Sequence, residues 1–367
     1  LKHPAQGIDR VRRIVMMFLG FRLLGCIAVA SAIPETMRAA VSTGAAAAGD
    51  FSRVSVVDLP VPQPGFGEVL IKVTSSSVNP VDWKLLEYNL AESGPKILGF
   101  DMAGTVVGLG DGCGRLSVGD RVWADLGGGS FPFDIQLGAW AEYAIAKESQ
   151  TSLSPSSLSA EGAASLPLVA LTDLQAFRMG GAPFAGNSNL TVVVTSGSGG
   201  TGIPAIQLAR AFGAKRIITS SSSTHFTLLK GLGATDIVDY HTSTIWDTLA
   251  NDSVDFVYDN YGAPGTADAA MPALRTGGSF VFLPGKGGAV SQNPKTGVTQ
   301  FNFGLVDPSN YQDLDALADF ANAGYLQPVI DQSFSLENIV QALNASFSGH
   351  VVGKVVLSIA PVDESTV

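Results

Sequence analysis

The 367-residue sequence predicts an α/β protein of two domains, one built from short antiparallel strands and one from a parallel sheet with crossover helices. Three observations carry this reading. The chain is longer than one core ordinarily needs, and with 46% apolar and 15% charged residues it has material for two. From Met37 the apolar pattern runs in short alternating segments broken by Pro60, Pro62, Pro64, Gly65 and Gly67, the punctuation of turns. Beyond Ala160 the period changes, and apolar strands alternate with helical stretches as in consecutive βαβ units.

In chain order, Arg10, Arg12 and Arg13 precede the apolar runs Ile14 to Gly20 and Leu23 to Val29, which end in Ala30-Ser31-Ala32. Basic flank, apolar run and small-residue cleavage site make residues 1–36 a targeting leader to an organelle or the secretory pathway, or a prelude to Met37 as the true start of a cytoplasmic body. Arg22 interrupts the run, so no stable membrane anchor is expected. Strands are expected at Val54–Val57, Glu68–Val73, Ala103–Leu109, Asp120–Ala124 and Trp140–Ile145, with a Ser/Pro-rich connector over Ser152–Ser159. Helical spacing occupies Ala160 to Phe177. Parallel strands follow at Leu190–Thr195, Arg216–Ser220, Asp236–Val238, Asp255–Tyr258 and Ser279–Phe282, with later helices at Asn310–Ala323 and Leu336–Ala345. A last strand from Lys354 to Ile359 falls outside that rhythm and is expected to return to the first domain, which makes the parallel-sheet domain an insertion.

Directly after the Leu190–Thr195 strand comes Gly197-Ser198-Gly199-Gly200-Thr201-Gly202, opening a helix. Glycines there permit a tight turn, let a pyrophosphate reach backbone amides and let the helix lie against the strand, while the helix N-terminus faces the anion. This context predicts dinucleotide binding. A carboxylate about twenty residues on would hold a ribose 2′-hydroxyl, but the next strand ends in Thr219 to His225 with no acid before Asp236. NADPH is therefore favoured over NADH, with Ser221, Ser222 and Ser223 as donors to the 2′-phosphate and Lys230 as a nearby cation. A net charge of −10 argues against nucleic acid as a partner. Cys26, Cys113, His3, His225, His241 and His350 show no metal-ligand spacing, so no zinc is expected.

Several segments then fall in a familiar order: Asn79-Pro-Val-Asp-Trp-Lys84, Leu98-Gly-Phe-Asp-Met-Ala-Gly104, Val118-Gly-Asp-Arg-Val122, Gly138-Ala-Trp-Ala-Glu-Tyr143, Leu166-Pro-Leu-Val-Ala-Leu-Thr172, the glycine turn, and Ser348-Gly-His-Val-Val-Gly-Lys354. From Met37 to about Ile359 the chain resembles the zinc-independent medium-chain dehydrogenase/reductases, in the quinone oxidoreductase and enone reductase branch. The resemblance implies a GroES-like β-rich catalytic domain from residues 37–165 and 307–367, an inserted Rossmann doubly wound parallel-sheet domain over 166–306, NADPH in the cleft between them, and a homodimer. It places Asn79 and Thr172 near the nicotinamide and Tyr240 near the 2′-phosphate. Zinc-dependent relatives carry a histidine where this chain has Phe100, and many NADPH-using relatives carry Lys or Arg where it has Thr224.

The chemistry so implied is metal-free hydride transfer to a quinone or an α,β-unsaturated carbonyl compound. Negative charge then develops on the conjugated oxygen and must be met by a fixed donor. Lys84 is the leading donor, at a place where several relatives carry tyrosine, and Tyr88, four residues on, is the reserve. Gly127–Leu137 and Gly285–Phe303 are the expected substrate loops. Two alternatives stay open: an enoyl-thioester reductase, against which the scarcity of Lys and Arg speaks, and a catalytically silent NADPH-binding structural or regulatory protein.

Overall fold

The structure, a computed structural model, describes residues 33–87, 96–127, 138–184 and 186–359. Strands β1 (Thr36–Ser42), β2 (Val54–Pro60) and β3 (Glu68–Val78) lead into helix α1 (Pro80–Lys84). Next come β4 (Lys96–Ile97), β5 (Asp101–Leu109), β6 (Arg121–Asp125), β7 (Tyr143–Lys147) and β8 (Thr151–Leu153), then helices α2 (Ala160–Ala164) and α3 (Pro167–Met179). The alternating part comprises β9 (Thr191–Val194), α4 (Gly202–Ala211), β10 (Arg216–Ser221), α5 (Phe226–Leu232), β11 (Asp236–Asp239), β12 (Val254–Asp259), α6 (Thr266–Ala270), β13 (Leu274–Phe282) and β14 (Thr299–Asn302). Helix α7 (Tyr311–Asn322), β15 (Ile330–Ser335), α8 (Ile339–Phe347) and β16 (Lys354–Ser358) complete the described chain.

The strands from β9 to β14 form one wholly parallel sheet in the order β11-β10-β9-β12-β13-β14. The order reverses beside β9, the doubly wound arrangement whose crevice lies outside the carboxyl ends of the strands. β9 is Thr-Val-Val-Val, buried throughout, as a central strand covered on both faces requires. The larger sheet runs β15-β16-β3-β5-β6-β8, with β7 also on β3; its pairs are antiparallel except β15 with β16. β16 pairs with β3, so the last strand does join the antiparallel sheet. A small sheet β2-β1-β4 covers one end.

Two packing features set up the cleft. Gly99 holds φ +93° with the Trp140 indole against it, where a Cβ would sit 2.2 Å from the ring; only glycine lets the chain pass there into β5. Trp140 is itself fixed by a 3.1 Å hydrogen bond from Nε1 to the Ser77 carbonyl. Helix α3 bridges the two layers: Ala170, Leu171 and Leu174 pack with Ala103 and Trp123 of the antiparallel sheet, and Phe177 packs with Phe256 and Tyr258 of the parallel one.

Candidate active site

A cavity of about 380 Å³ opens where the carboxyl ends of the parallel strands face α1 and α3. One wall is Asn79, Pro80, Val81 and Lys84, a second is Leu168, Val169 and Thr172, and the third is Thr201, Asn260, Leu283, Pro284 and Gly285. Phe100, Asp125 and Gly127 line it on the side of the antiparallel sheet, and Phe303 to Val306 complete it. The lining is mostly apolar with few polar groups, the usual character of a small-molecule site. Asn79, Lys84, Thr172 and Thr201, all expected at the site, therefore share one cavity.

Asn79 is fully buried and belongs to a charged network. Its Nδ2 donates to Asp101 Oδ2 at 2.8 Å, and its Oδ1 accepts from the buried Lys354 ammonium. Lys354 Nζ also donates to the Val78 carbonyl at 3.2 Å and lies 3.4 Å from Asp101 Oδ2. Asp101 accepts further from Ser77 Oγ at 2.8 Å and from the Leu168 amide at 2.7 Å, which ties the start of α3 to β5. The Asn79 backbone N–H donates to Asp82 Oδ2 at 2.7 Å, so Asp82 fixes the turn at the start of α1.

Asp82, Asp101 and Asp125 are thus three buried carboxyls around one buried ammonium. Burial pushes the Asp82 carboxyl well above the usual range, and burial with the neighbouring Asp101 charge pushes Asp125 up to about 7. Burial also lowers the Lys354 ammonium, against the pull of Asp101 and Asp82. Gly127 N donates to Asp125 Oδ1 at 2.8 Å, and Asp125 Oδ2 has no hydrogen-bond partner among the described residues.

The glycine turn fits a diphosphate. A Cβ on Gly202 would stand 1.8 Å from the Ser196 carbonyl, and one on Gly197 2.3 Å from Thr219 Oγ1, so both glycines are required by close packing of the chain on itself. A Cβ on Gly199 would meet nothing closer than 3.5 Å; that side of the turn is open. Among the described residues, the amides of Ser198, Gly200 and Thr201 donate to no protein group, and they precede α4. Asn260 clamps the turn: its Oδ1 accepts from Ser196 N at 2.9 Å and its Nδ2 donates to Thr201 Oγ1 at 3.1 Å. Gly353 N donates to the Ser198 carbonyl at 2.9 Å, joining the turn to the approach to β16.

At the end of β10, Ser221 is buried with its Oγ unpartnered among the described residues, Ser222 is half-buried and Ser223 exposed. Ser221 is in register with Asp239, and Tyr240 follows, exposed and stacked on His241 at 4.2 Å. These residues share one edge of the sheet. Lys230 stands in the last turn of α5. Lys84 is exposed at the cavity, its Nζ 5.7 Å from the Trp83 ring centroid. Helix α1 ends at Lys84 and passes into a 3₁₀ turn, Leu85–Glu87; Tyr88 and positions 128–137, the expected reserve donor and most of one expected substrate loop, lie outside the described residues. The leader over residues 1–32 lies outside them too. Among the described residues no helix is long and apolar enough to cross a membrane, and no three His, Cys, Asp or Glu side chains converge as metal ligands would.

Asp101, Asp125, Asn260 and Lys354 were not singled out as site residues by the sequence reading. Asp101 and Lys354 did lie in the segments that carried the resemblance, Gly99-Phe-Asp101 and Gly353-Lys354, and that was the available signal.

Comparison with known proteins agrees with this architecture. Residues 65–156 match the alcohol dehydrogenase GroES-like domain family, and residues 232–357 match the family described as zinc-binding dehydrogenase. The chain is 33% identical over 339 residues to a 2-methylene-furan-3-one reductase of Solanum lycopersicum, covering 90% of this chain and 81% of that protein. It is 30% identical over 337 residues to the chloroplastic NADPH-dependent alkenal/one oxidoreductase of Arabidopsis thaliana, covering 89% and 81%. Among solved structures, the quinone oxidoreductase of Coxiella burnetii superposes with a TM-score of 0.71 at 26% identity, over 89% of this chain and all of that one. A mycobacterial protein complexed with NADPH superposes at 0.69 and 26% identity, over 88% and 100%. By fold, family match and these relatives, the chain belongs to the medium-chain dehydrogenase/reductase superfamily, in its quinone oxidoreductase and enone reductase branch.

Proposed function

We propose that this protein is an NADPH-dependent, metal-free reductase of quinones or α,β-unsaturated carbonyl compounds. The observation that carries the reading is the single cavity in which Lys84 of α1 and Thr172 of α3 face the same space as Thr201 and Asn260 of the nucleotide turn. When bound, NADPH supplies the hydride. The free amides of Ser198, Gly200 and Thr201 hold its diphosphate, Ser221, Ser222, Ser223 and Tyr240 stand at the edge that receives the 2′-phosphate, and Thr172 and Asn79 border the reacting ring. Leu168, Val169, Leu283 and Phe303 exclude water, which strengthens every remaining electrostatic interaction in the cavity. Lys84, the cationic side chain of that lining, meets the negative charge that grows on the acceptor oxygen.

The names of the tomato and Arabidopsis relatives support the acceptor class, and the NADPH-bound mycobacterial structure supports the cofactor. The reading includes residues 37–165 and 307–367 as catalytic domain, 166–306 as nucleotide domain, 1–36 as a targeting leader, and a homodimer. The test is NADPH and NADH oxidation against a naphthoquinone, a short enal and a crotonyl thioester. Turnover with the quinone or enal, faster with NADPH, is expected; preference for the thioester, or NADPH binding with no acceptor reduced, would overturn it.

A further inference from the structure

Reduction of a conjugated C=C bond needs a proton as well as a hydride, and the acidic cluster beside the cavity has no place in the steps above. Asp125 closes β6 at the cavity lining, is fully buried, and among the described residues leaves Oδ2 without a partner while Oδ1 is held by the Gly127 amide. We propose that Asp125, as the neutral carboxylic acid, is the proton donor that completes enone reduction in this protein. The inference rests on the function proposed above.

The charges around Asp125 explain why it keeps a proton. Asp101 on β5 is its register partner and is engaged by Ser77, Asn79, the Leu168 amide and Lys354. Asp82 on α1 is buried in the same cluster, Lys354 comes from β16, and Lys84 is the exposed cation at the cavity. Helix α3 presents only Leu168, Val169 and Thr172 to the cavity, none of them ionisable. One buried ammonium balances one of the three buried carboxylates, and Asp101 is the one bonded to it; Asp82 and Asp125 are the two left to keep protons, and of these Asp125 lines the cavity. The step balances. Hydride adds to the β-carbon, the C=C electron pair moves toward the carbonyl, the Asp125 O–H bond breaks and its proton closes the new bond at the α-carbon. Asp125 is left as a carboxylate and is reprotonated by water that enters the cavity once the product has left.

The variant Asp125→Asn keeps an oxygen for the Gly127 amide and removes the acid. Two readouts decide. In infrared difference spectra of the protein without cofactor, taken between about pH 5 and pH 9, a protonated-carboxyl band should disappear on alkalisation and be absent from Asp125→Asn. In single-turnover reduction of a short enal, the wild-type rate should fall about tenfold per pH unit above the break. The variant should lose the break and on the order of 10²-fold in rate with unchanged NADPH affinity. An identical band in both proteins, or an enal-reducing variant with the wild-type profile, overturns the proposal, and a pH-independent wild-type rate overturns it without any variant. Wild-type protein that reduces no enal fails the function itself, a result distinct from an active variant.

Discussion

Lys84 and Lys354 are two lysines with opposite situations. Lys84 is exposed at the cavity, and among the described residues the Trp83 ring is the contact of its ammonium, so removing it leaves little behind except a missing charge. Lys84→Ala is expected to lower turnover about 10²-fold while the dissociation constant for NADPH stays put, the split left by a donor used only in the transition state. Stopped-flow rates beside a fluorescence titration of NADPH check this, and an unchanged rate removes Lys84 from the chemistry. Lys354 is buried among carboxyls, so its removal leaves charge unpaired. Lys354→Met should cost about 3–5 kcal/mol in urea unfolding near neutral pH. The loss should shrink toward about pH 5, where the carboxyls hold protons that offset the missing ammonium. An equal loss at both pH values would show that the ammonium is not what neutralises Asp101.

At the scale of elements, the glycine turn carries two kinds of glycine that the sequence motif alone does not distinguish. Gly202 is where α4 touches the end of β9, with 1.8 Å from a would-be Cβ to the Ser196 carbonyl, whereas Gly199 faces open space. Gly202→Ala should therefore destabilise the fold by about 1–3 kcal/mol through overpacking and weaken NADPH binding with it. Gly199→Asp should leave the thermal midpoint within a few degrees and abolish NADPH binding, since its carboxylate would occupy the anion's side of the turn. Differential scanning fluorimetry with and without NADPH separates the two; equal destabilisation would mean that the open side is not the ligand's side. This turn was legible in sequence because strand, glycines and helix are contiguous. Strands β14 and β15 were not, since Thr299–Asn302 at the sheet edge and Ile330–Ser335 are polar and half-exposed and lack the apolar run that marks an interior strand. Thr151–Leu153, whose last two residues fall in the stretch expected as a Ser/Pro-rich connector, likewise forms β8 because it pairs with β6.

At the scale of the molecule, what sequence reading missed is what long-range packing makes. Lys354 meets Asn79 across 275 positions, and Asp125 looks like a solvated acid at a strand end until β5, β16 and α3 bury it. The same burial governs how the protein responds to pH. Asp82 and Asp173 are held well above the usual carboxylate range by desolvation, Asp173 against a 2.8 Å hydrogen bond from the Tyr258 hydroxyl, and Asp125 is raised to about 7. In each case the native state binds a proton more tightly than the unfolded chain. The stability so contributed is complete below the unfolded pKa and is lost as pH rises toward the folded value. For Asp125 the window runs from about 4 to 7, and its full loss is on the order of 4 kcal/mol. Half-exposed carboxyls such as Asp236, lowered by its bond to Arg216, act with the opposite sign, but that contribution is already in place above about pH 4 and is weakened by solvent. The urea midpoint should therefore peak near pH 5 and decline to pH 8, and the decline should be shallower in Asp125→Asn. A midpoint that instead rises over that interval would mean that these carboxyls are ionised in the folded protein and that the cluster around Lys354 is hydrated.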